Sequence, residues 1–361
     1  MIEFDKIPQS SKIAIYGAGE AGLCVKNYIE NSRSDLKIVY FFDEKIKGKI
    51  NEIEIKHIKD IQKFANSFDF IIPASFSNSF LMESILKHYG IQNCIRLNEI
   101  PKTNNEFKNN EPRLNIVKNI LHSEESKKIF ELVFNAYINS NNGVYLFEYL
   151  KNFNEQKFHS KGQYFDFIVH EKIKTVISGG AAEAYTTTAF LNSFNNLKKI
   201  YAFEPIYQSF KIEQNDLFLK NSGKVEIIEK GLFDKSTVTN FLLNKASSRI
   251  SQHFPSELTQ EIEIVSIDEF VKQKNIEKVD FIKMDIEGAE LMALKGAKET
   301  LKKHRPQLAI CIYHSYDDLF EIPIYLDGLL EKYKFEVYHY SPNTNLETVL
   351  YAIPKELNSE R

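Results

Sequence analysis

The sequence predicts an α/β protein of two doubly wound domains, and three observations carry that reading. Short apolar, β-rich runs alternate with amphipathic helical stretches in two series along the chain, the pattern of parallel strands joined by crossover helices. Each series opens on a strand that breaks into a glycine turn and a helix: KIAIYGAGEAG at 12–22 and KTVISGGAAEA at 174–184. The last two β-rich runs, FEVYHYS (335–341) and ETVLYAIP (347–354), are separated only by a Pro-Asn-Thr-Asn region, so they pair as an antiparallel hairpin.

In the first series, KIAIYG leads into Gly17-Ala18-Gly19-Glu20-Ala21-Gly22, and a helical pattern runs on through Leu23, Val25 and Tyr28 to about Ser32. KIVYFFDE (37–44) is a second strand closing on Asp43, and FDFIIPAS (68–75) a third. ILKHYGIQNCIRL then supplies a helix, a turn and a fourth strand, which puts a first domain at 1–100. The polar, Asn-rich PKTNNEFKNNEPRLN (101–115) reads as a linker. Ile129, Leu132, Val133, Ala136 and Tyr137 recur at helical spacing in a stretch that bridges the domains or covers one of them, so 101–160 is read as linker and helical connector.

The second domain, 161–361, has strands at KTVISGG, KIYAFEP (199–205), KVEIIEKGLF (224–233), VDFIKMDIEG (279–288) and QLAICIYH (307–314). Between the third and fourth, FLLN…SSRISQHF…EIEIVSID alternates like a small antiparallel insertion.

Composition narrows the function. The chain has 361 residues, 43% hydrophobic and 26% charged, the profile of an ordinary soluble protein with room for two domains. A net charge of −3 gives no basic footprint for nucleic acid or anionic membrane. No run approaches the ~20 apolar residues of a membrane span. MIEFDKIPQSSK is too polar, and reaches IAIYGAG too soon, for a signal peptide. Cys24, Cys94 and Cys311 are scattered in apolar stretches without metal or disulfide spacing, so they read as small hydrophobes in a reducing cytoplasm.

Ligands of doubly wound sheets sit beyond the carboxyl ends of the strands, where strand order reverses. In the second domain the first strand brings Ser178, Gly179, Gly180 and Ala181 there, small residues that let a ligand approach the backbone. Glu204, at the tip of the second strand before Pro205, either accepts both hydroxyls of a ribose or is a helix-start acid beside a turn proline, and the glycine turn upstream favours the ribose. Gly231-Leu232-Phe233-Asp234 either walls an adenine or is a plain turn. The fourth strand tip carries Asp285, Glu287 and Glu290; first-turn acids favour a helix dipole by themselves, but three exceed what capping requires. His314 ends the fifth strand and, beside Asp285, reads as a general base.

These residues carry a resemblance. VDFIKMDIEGAELMALKGAKETL followed by PQLAICIYH resembles the signature of the FkbM family of S-adenosylmethionine-dependent methyltransferases. The likeness extends to QYFDF, AFEP, SSRIS and HYS…ETVLYA, over roughly 161–354. It implies a class I methyltransferase sheet ending in the antiparallel hairpin, and O-methylation of a sugar or glycan hydroxyl in polysaccharide assembly. By position, Gly180, Glu183 and Glu204 would contact the cofactor, and Asp285, Glu287 and His314 would line the acceptor side. The sequence departs from such turns at Ser178, where an Asp is usual, and at Ala184, where a Gly is usual. The implied reaction is direct displacement with His314 or Asp285 as base. No metal is required; the acid cluster holds a cation or bonds sugar hydroxyls.

The first domain's loop matches GxGxxG at Gly17, Gly19 and Gly22, with Asp43 ending the next strand where an acid binds ribose. The loop binds NAD(P), a nucleotide sugar, or nothing, and its motif context favours a nucleotide ligand. An oxidoreductase or epimerase is the competing class, but its Tyr-x-x-x-Lys occurs only at Tyr207–Lys211 and Tyr351–Lys355, outside this domain. A third class is a non-catalytic binding module with a degenerate methyltransferase domain.

Overall fold

The computed structural model describes residues 4, 7–75, 79–95, 111–138, 162–181, 185–207, 219, 221–242, 249–250, 259–341 and 346–358. The chain divides into two compact units, residues 1–111 with 138–140, and 112–137 with 141–361.

The first unit is built on β1 (Lys12–Tyr16), α1 (Glu20–Ser32), β2 (Lys37–Asp43), β3 (Gly48–Ile50), β4 (Ile53–His57), α2 (Ile61–Phe64), β5 (Phe70–Pro73) and α3 (Ser79–His88). Its sheet has the order β3-β4-β2-β1-β5. β1 is central, parallel to β2 and β5, which is why four of its five residues are buried and the run is continuously apolar. Cys24, Val25 and Ile29 share one face of α1 and are fully buried. One feature was not anticipated from the sequence: β3 and β4 form an antiparallel hairpin. Of the expected fourth strand, Cys94 bridges Ile71 of β5 in parallel, and the residues from 96 lie outside the described ones.

The second unit begins at Pro112 within α4 (Glu111–Ile120) and includes α5 (Glu124–Ile138) up to Tyr137. Ser123 and Ser126, at the start of α5, donate to the buried Glu336 carboxylate, and Leu121 bridges to Phe335, so this helical pair packs on the edge of the main sheet. The sheet follows as β6 (Thr175–Gly179), α6 (Tyr185–Ser193), β7 (Lys199–Phe203) and β8 (Val225–Ile228). A small sheet interposes β9 (Gly231–Leu232), β10 (Thr237–Leu242), β11 (Arg249–Ile250) and β12 (Thr259–Val265). α7 (Ile267–Gln273), β13 (Phe281–Met284), α8 (Glu290–Lys295), α9 (Lys298–His304), β14 (Gln307–Cys311), α10 (Asp318–Leu329), β15 (Tyr333–His339) and β16 (Thr348–Pro354) complete the unit.

The main sheet has the order β15-β16-β14-β13-β6-β7-β8, and the insertion the order β11-β10-β12-β9. β16 is antiparallel to both β14 and β15, as the terminal hairpin requires, while β6, β7, β8, β13 and β14 run parallel. Strand order reverses between β6 and β13, and their ends are in register: Phe203, Gly179, Met284 and Ile310 form one row. The third-strand expectation is shortened, because Gly231–Leu232 leaves the main sheet to pair with β12. Among the described residues no helix is long and apolar enough to cross a membrane.

Candidate active site at the strand switch point

The glycine turn is held from both sides. The Gly180 N–H donates to Phe203 O at 3.0 Å, and the Asp285 N–H donates to Gly179 O at 3.3 Å. Gly180 has φ +75°, and a Cβ there would lie 1.8 Å from the Asp285 carbonyl oxygen. Glycine is therefore required by close approach of two backbones, whatever binds beyond. Lys283 reinforces the junction from inside the sheet: only 2% exposed, it donates from Nζ to Gly179 O at 2.9 Å and Gly180 O at 3.0 Å. The same ammonium lies over the Tyr164 ring, 4.9 Å from its centroid, and 4.0 Å from Asp285 Oδ2.

Around the turn, Ala181 is buried and the Ser178 hydroxyl is buried without a hydrogen-bond partner. Glu204 is buried at the tip of β7, its Oε1 accepting from Ile206 N at 3.3 Å. Burial pushes the Glu204 carboxyl up, against the backbone N–H groups of Ile206 and Ala181 and the Lys283 charge. Gly231 belongs to β9, and its neighbour Leu232 is the residue that reaches the turn, with Cδ1 3.0 Å from where a Gly179 Cβ would stand. Glu183, with Ala182 and Ala184, lies outside the described residues.

Beyond the turn, Asp285, Glu287, Glu290 and His314 converge. Asp285 Oδ2 accepts from Tyr164 OH at 2.7 Å and Oδ1 from Tyr313 OH at 3.1 Å. Burial opposes its charge, but Lys283, His314 and the two phenols outweigh burial and hold its pKa below the usual range. Glu290, fully buried, accepts from Ile286 N at 2.7 Å and Gly288 N at 2.9 Å, which closes the 285–289 loop onto the start of α8. His314 Nδ1 lies 2.9 Å from Glu290 Oε1, while Nε2 lies 3.4 Å from Asp285 Oδ1 and 3.6 Å from Glu287 Oε2. These are ion-pair distances, yet neither ring nitrogen has hydrogen-bond geometry to any described atom. Burial lowers the imidazole pKa, but Glu290, Asp285 and Glu287 together raise it to about 10.

Glu287 has φ +57°, a left-handed backbone for a residue with a Cβ. Its side chain is 33% exposed and makes no hydrogen bond among the described residues. Burial, with Asp285, Glu290 and Glu347 adding to it against His314, pushes its carboxyl up to about 7. One oxygen each from Asp285 and Glu290 and a ring nitrogen of His314 lie within 4.8 Å of one another, close enough to hold a metal ion.

Asp285, Glu287 and His314, named from sequence, are thus brought together, with Glu204 and the glycine turn on neighbouring strands. Glu290, the third acid read at this strand tip, joins them, and Tyr164, Lys283 and Tyr313 are the contacts the sequence reading did not use. A lysine in the apolar run VDFIKM was the signal for Lys283, since a buried charge needs partners. The phenols of Tyr164 and Tyr313 had none. The Tyr351 of the alternative Tyr-x-x-x-Lys match is fully buried on β16, hydrogen bonded to Tyr340 and the Tyr164 N–H.

In the first unit, Gly17 (φ +112°) and Gly22 are both fixed by packing: a Cβ would stand 2.5 Å from Ala74 O and 2.0 Å from Gly17 O respectively. At Gly19 the nearest atom is Ile46 Cδ1 at 3.9 Å. Asp43 accepts from Ala18 N on Oδ2 and from Lys45 N and Ile46 N on Oδ1, all at 2.8 Å, so its carboxylate ties β2 to the glycine loop.

Residues 162–337 match the family model described as the methyltransferase FkbM domain. Among solved structures, the chain resembles a methyltransferase FkbM from Methylobacillus flagellatus KT, with 19% identity and a TM-score of 0.55 over 95% of this chain and 90% of that one. An rRNA methylase from Streptococcus thermophilus matches 50% of this chain and 86% of its own at 18% identity and a TM-score of 0.31. A UDP-D-quinovosamine 4-dehydrogenase from Vibrio fischeri matches 28% and 86% at 18% identity and a TM-score of 0.21; at such scores neither bears on the argument. No curated protein matches the chain significantly in sequence. The match places a methyltransferase FkbM domain over residues 162–337 of the second unit, on a seven-stranded sheet with a terminal antiparallel hairpin.

Proposed function

We propose that the second unit transfers the methyl group of S-adenosylmethionine to a hydroxyl oxygen of a sugar, nucleotide sugar or glycan. One observation carries the reading: at the switch point of a methyltransferase sheet, the glycine turn stands between the Glu204 carboxylate on one side and the Asp285–Glu287–His314 cluster on the other. Glu204 fits a ribose diol, being buried at a strand tip with carboxylate capacity left beyond the backbone N–H groups it accepts. The Ser178 hydroxyl, on the neighbouring strand and without a hydrogen-bond partner among the described residues, adds a second polar group.

S-Adenosylmethionine, when bound, supplies an electrophilic methyl. The chain's own part is to hold the acceptor in line, a positioning effect that contributes up to ~7–11 kcal/mol of barrier lowering. Asp285 already accepts from two phenols, so it orients the acceptor side. Glu287 would take the hydroxyl proton as the oxygen–carbon bond forms and the sulfur–methyl bond breaks to leave a thioether, because among the described residues its carboxylate alone in the cluster is both without a hydrogen bond and open to solvent. Calorimetric titration of S-adenosylmethionine into wild type and Glu204→Ala tests the reading. We expect binding in the wild type and at least a tenfold loss in the variant; no binding to the wild type, or equal binding to both, removes the cofactor assignment.

A nucleotide ligand for the first unit is the second reading, favoured by one contrast. Gly17 and Gly22 are explained by packing, whereas Gly19, at the start of α1, opens to free space where a phosphate is received. Titrations of NAD(P) and of a UDP-sugar against Gly19→Val separate the candidates. Turnover of NAD(P)H without methyl transfer would favour the oxidoreductase class.

A further inference from the structure

His314 is the misfit of the cluster. Its side chain is only 9% exposed, and both ring nitrogens are shielded from solvent without a hydrogen bond, although carboxylates face them from two sides. Buried polar atoms are rarely left so, and a ring nitrogen has one other common partner, a metal cation.

The spacing fits one. Neighbouring ligands on an octahedral first-row cation at ~2.0–2.2 Å stand about 3 Å apart. A single cation takes one ring nitrogen of His314, and that nitrogen lies with one oxygen each of Asp285 and Glu290 within 4.8 Å of one another, so small side-chain rotations close the set on one ion. The carboxylates are also held as ligands are: Tyr164 and Tyr313 fix Asp285, and the Ile286 and Gly288 N–H groups fix Glu290. Such outer contacts orient metal-binding groups.

The charge points the same way. Asp285, Glu287 and Glu290 gather here with the buried Lys283 ammonium as the nearby permanent cation, 4.0 Å from Asp285. Glu347 adds a fourth carboxylate whose field reaches Asp285 and Glu287. Four carboxylates outnumber the Lys283 ammonium and the His314 imidazole, and an excess of clustered, partly buried carboxylates is costly unless a further cation joins them.

We infer that Asp285, Glu290 and His314 form a binding site for one divalent first-row transition cation, with Glu287 at its open side. One imidazole with carboxylate oxygens suits Mn²⁺ or Zn²⁺, whereas Mg²⁺ and Ca²⁺ favour oxygen-only sets. The site is read by binding alone, without turnover, so it stands or falls apart from methyl transfer.

The test uses the full chain, prepared without a histidine tag, stripped with chelator and dialysed. Mn²⁺ is titrated while the electron paramagnetic resonance signal of the free ion is followed. We expect one tightly bound ion per chain, and at least a tenfold weaker affinity in His314→Gln and in Asp285→Asn variants that keep the wild-type circular dichroism spectrum. X-ray absorption of the Zn²⁺-loaded wild type reads the ligands directly, independently of whether the variants fold, and one imidazole among oxygen ligands is expected. The inference is overturned if the wild type binds no ion, if folded His314→Gln binds as tightly as wild type, or if the Zn²⁺ shell contains no imidazole. A proton shared by the imidazole and its carboxylates would then be what balances the cluster.

Discussion

Replacing Gly180 by alanine separates two explanations of the glycine turn. If the glycine serves ligand approach, Gly180→Ala weakens cofactor binding and leaves the empty protein intact. The backbone geometry says otherwise. The added Cβ would stand 1.8 Å from the Asp285 carbonyl oxygen and 2.9 Å from its carbon, against an ordinary contact of 3.4–4 Å. Neither atom belongs to a flexible side chain, so β6 and β13 must separate at their ends. A left-handed residue with a Cβ costs about 1–2 kcal/mol, and overpacking adds about 1–3 kcal/mol. The sum, about 2–5 kcal/mol, lowers the melting temperature of a unit this size by about 5–15 °C. Gly179→Ala is the control. Its Cβ meets the Ile286 Cγ2 methyl and the end of the Leu232 side chain at 3.0 Å with no left-handed φ and no backbone clash, so small side-chain shifts relieve it for about 1 kcal/mol. Thermal unfolding followed by circular dichroism, without ligand, compares the two. A Gly180→Ala protein melting within about 2 °C of wild type, or a Gly179→Ala protein as damaged as Gly180→Ala, would refute the packing argument.

Three other outcomes are expected. Lys283→Met removes a buried ammonium from two carbonyls and from the vicinity of Asp285, so guanidinium unfolding should register a loss of about 3–5 kcal/mol; a loss under about 1 kcal/mol would show that the carbonyls find other donors. Asp43→Ala strips the acceptor from three backbone N–H groups, and should destabilise the first unit by about 1–3 kcal/mol, seen as faster hydrogen exchange at Ala18 without any nucleotide. Unchanged exchange there would return Asp43 to a purely ligand-binding role. His304 is buried, with Nδ1 accepting from Val279 N at 3.1 Å, and burial together with Lys278 and Lys303 lowers its pKa below 6.5. Below pH 6.5 the unfolded chain takes up this proton before the folded one, so stability falls as pH drops through that window. A series of melting temperatures from pH 8 to 5 should show a shallower acid decline in His304→Gln than in wild type, and parallel declines would exclude the histidine as the cause.

Much of this molecule is legible along the chain because its signals are local. Apolar, β-branched runs mark central strands buried on both faces, as β1, β6 and β13 are. Glycine turns mark the ends of the leading strands, and a short loop between two β-rich runs forces the antiparallel β15–β16 pair. Those features follow from the period of the backbone and the chemistry of turns, and so did Asp285, Glu287, Glu204 and His314 at strand ends. The β3–β4 hairpin escaped because β3 is only three residues of polar, half-exposed chain, although Ile53 and Ile55 alternate with charged residues in β4.

Only the tertiary structure decided what those residues do to one another. Strand order sets β6 beside β13, residues some hundred positions apart, and that adjacency makes Gly180 a packing necessity and Lys283 a clamp. The same adjacency brings Tyr164, Tyr313 and Glu290 onto Asp285 and His314, turning acids that could have been helix caps into a charged, half-buried cluster. Periodicity records which face of an element is buried. It holds no record of which other element covers that face, because pairing between distant segments is settled by the packing of the whole unit.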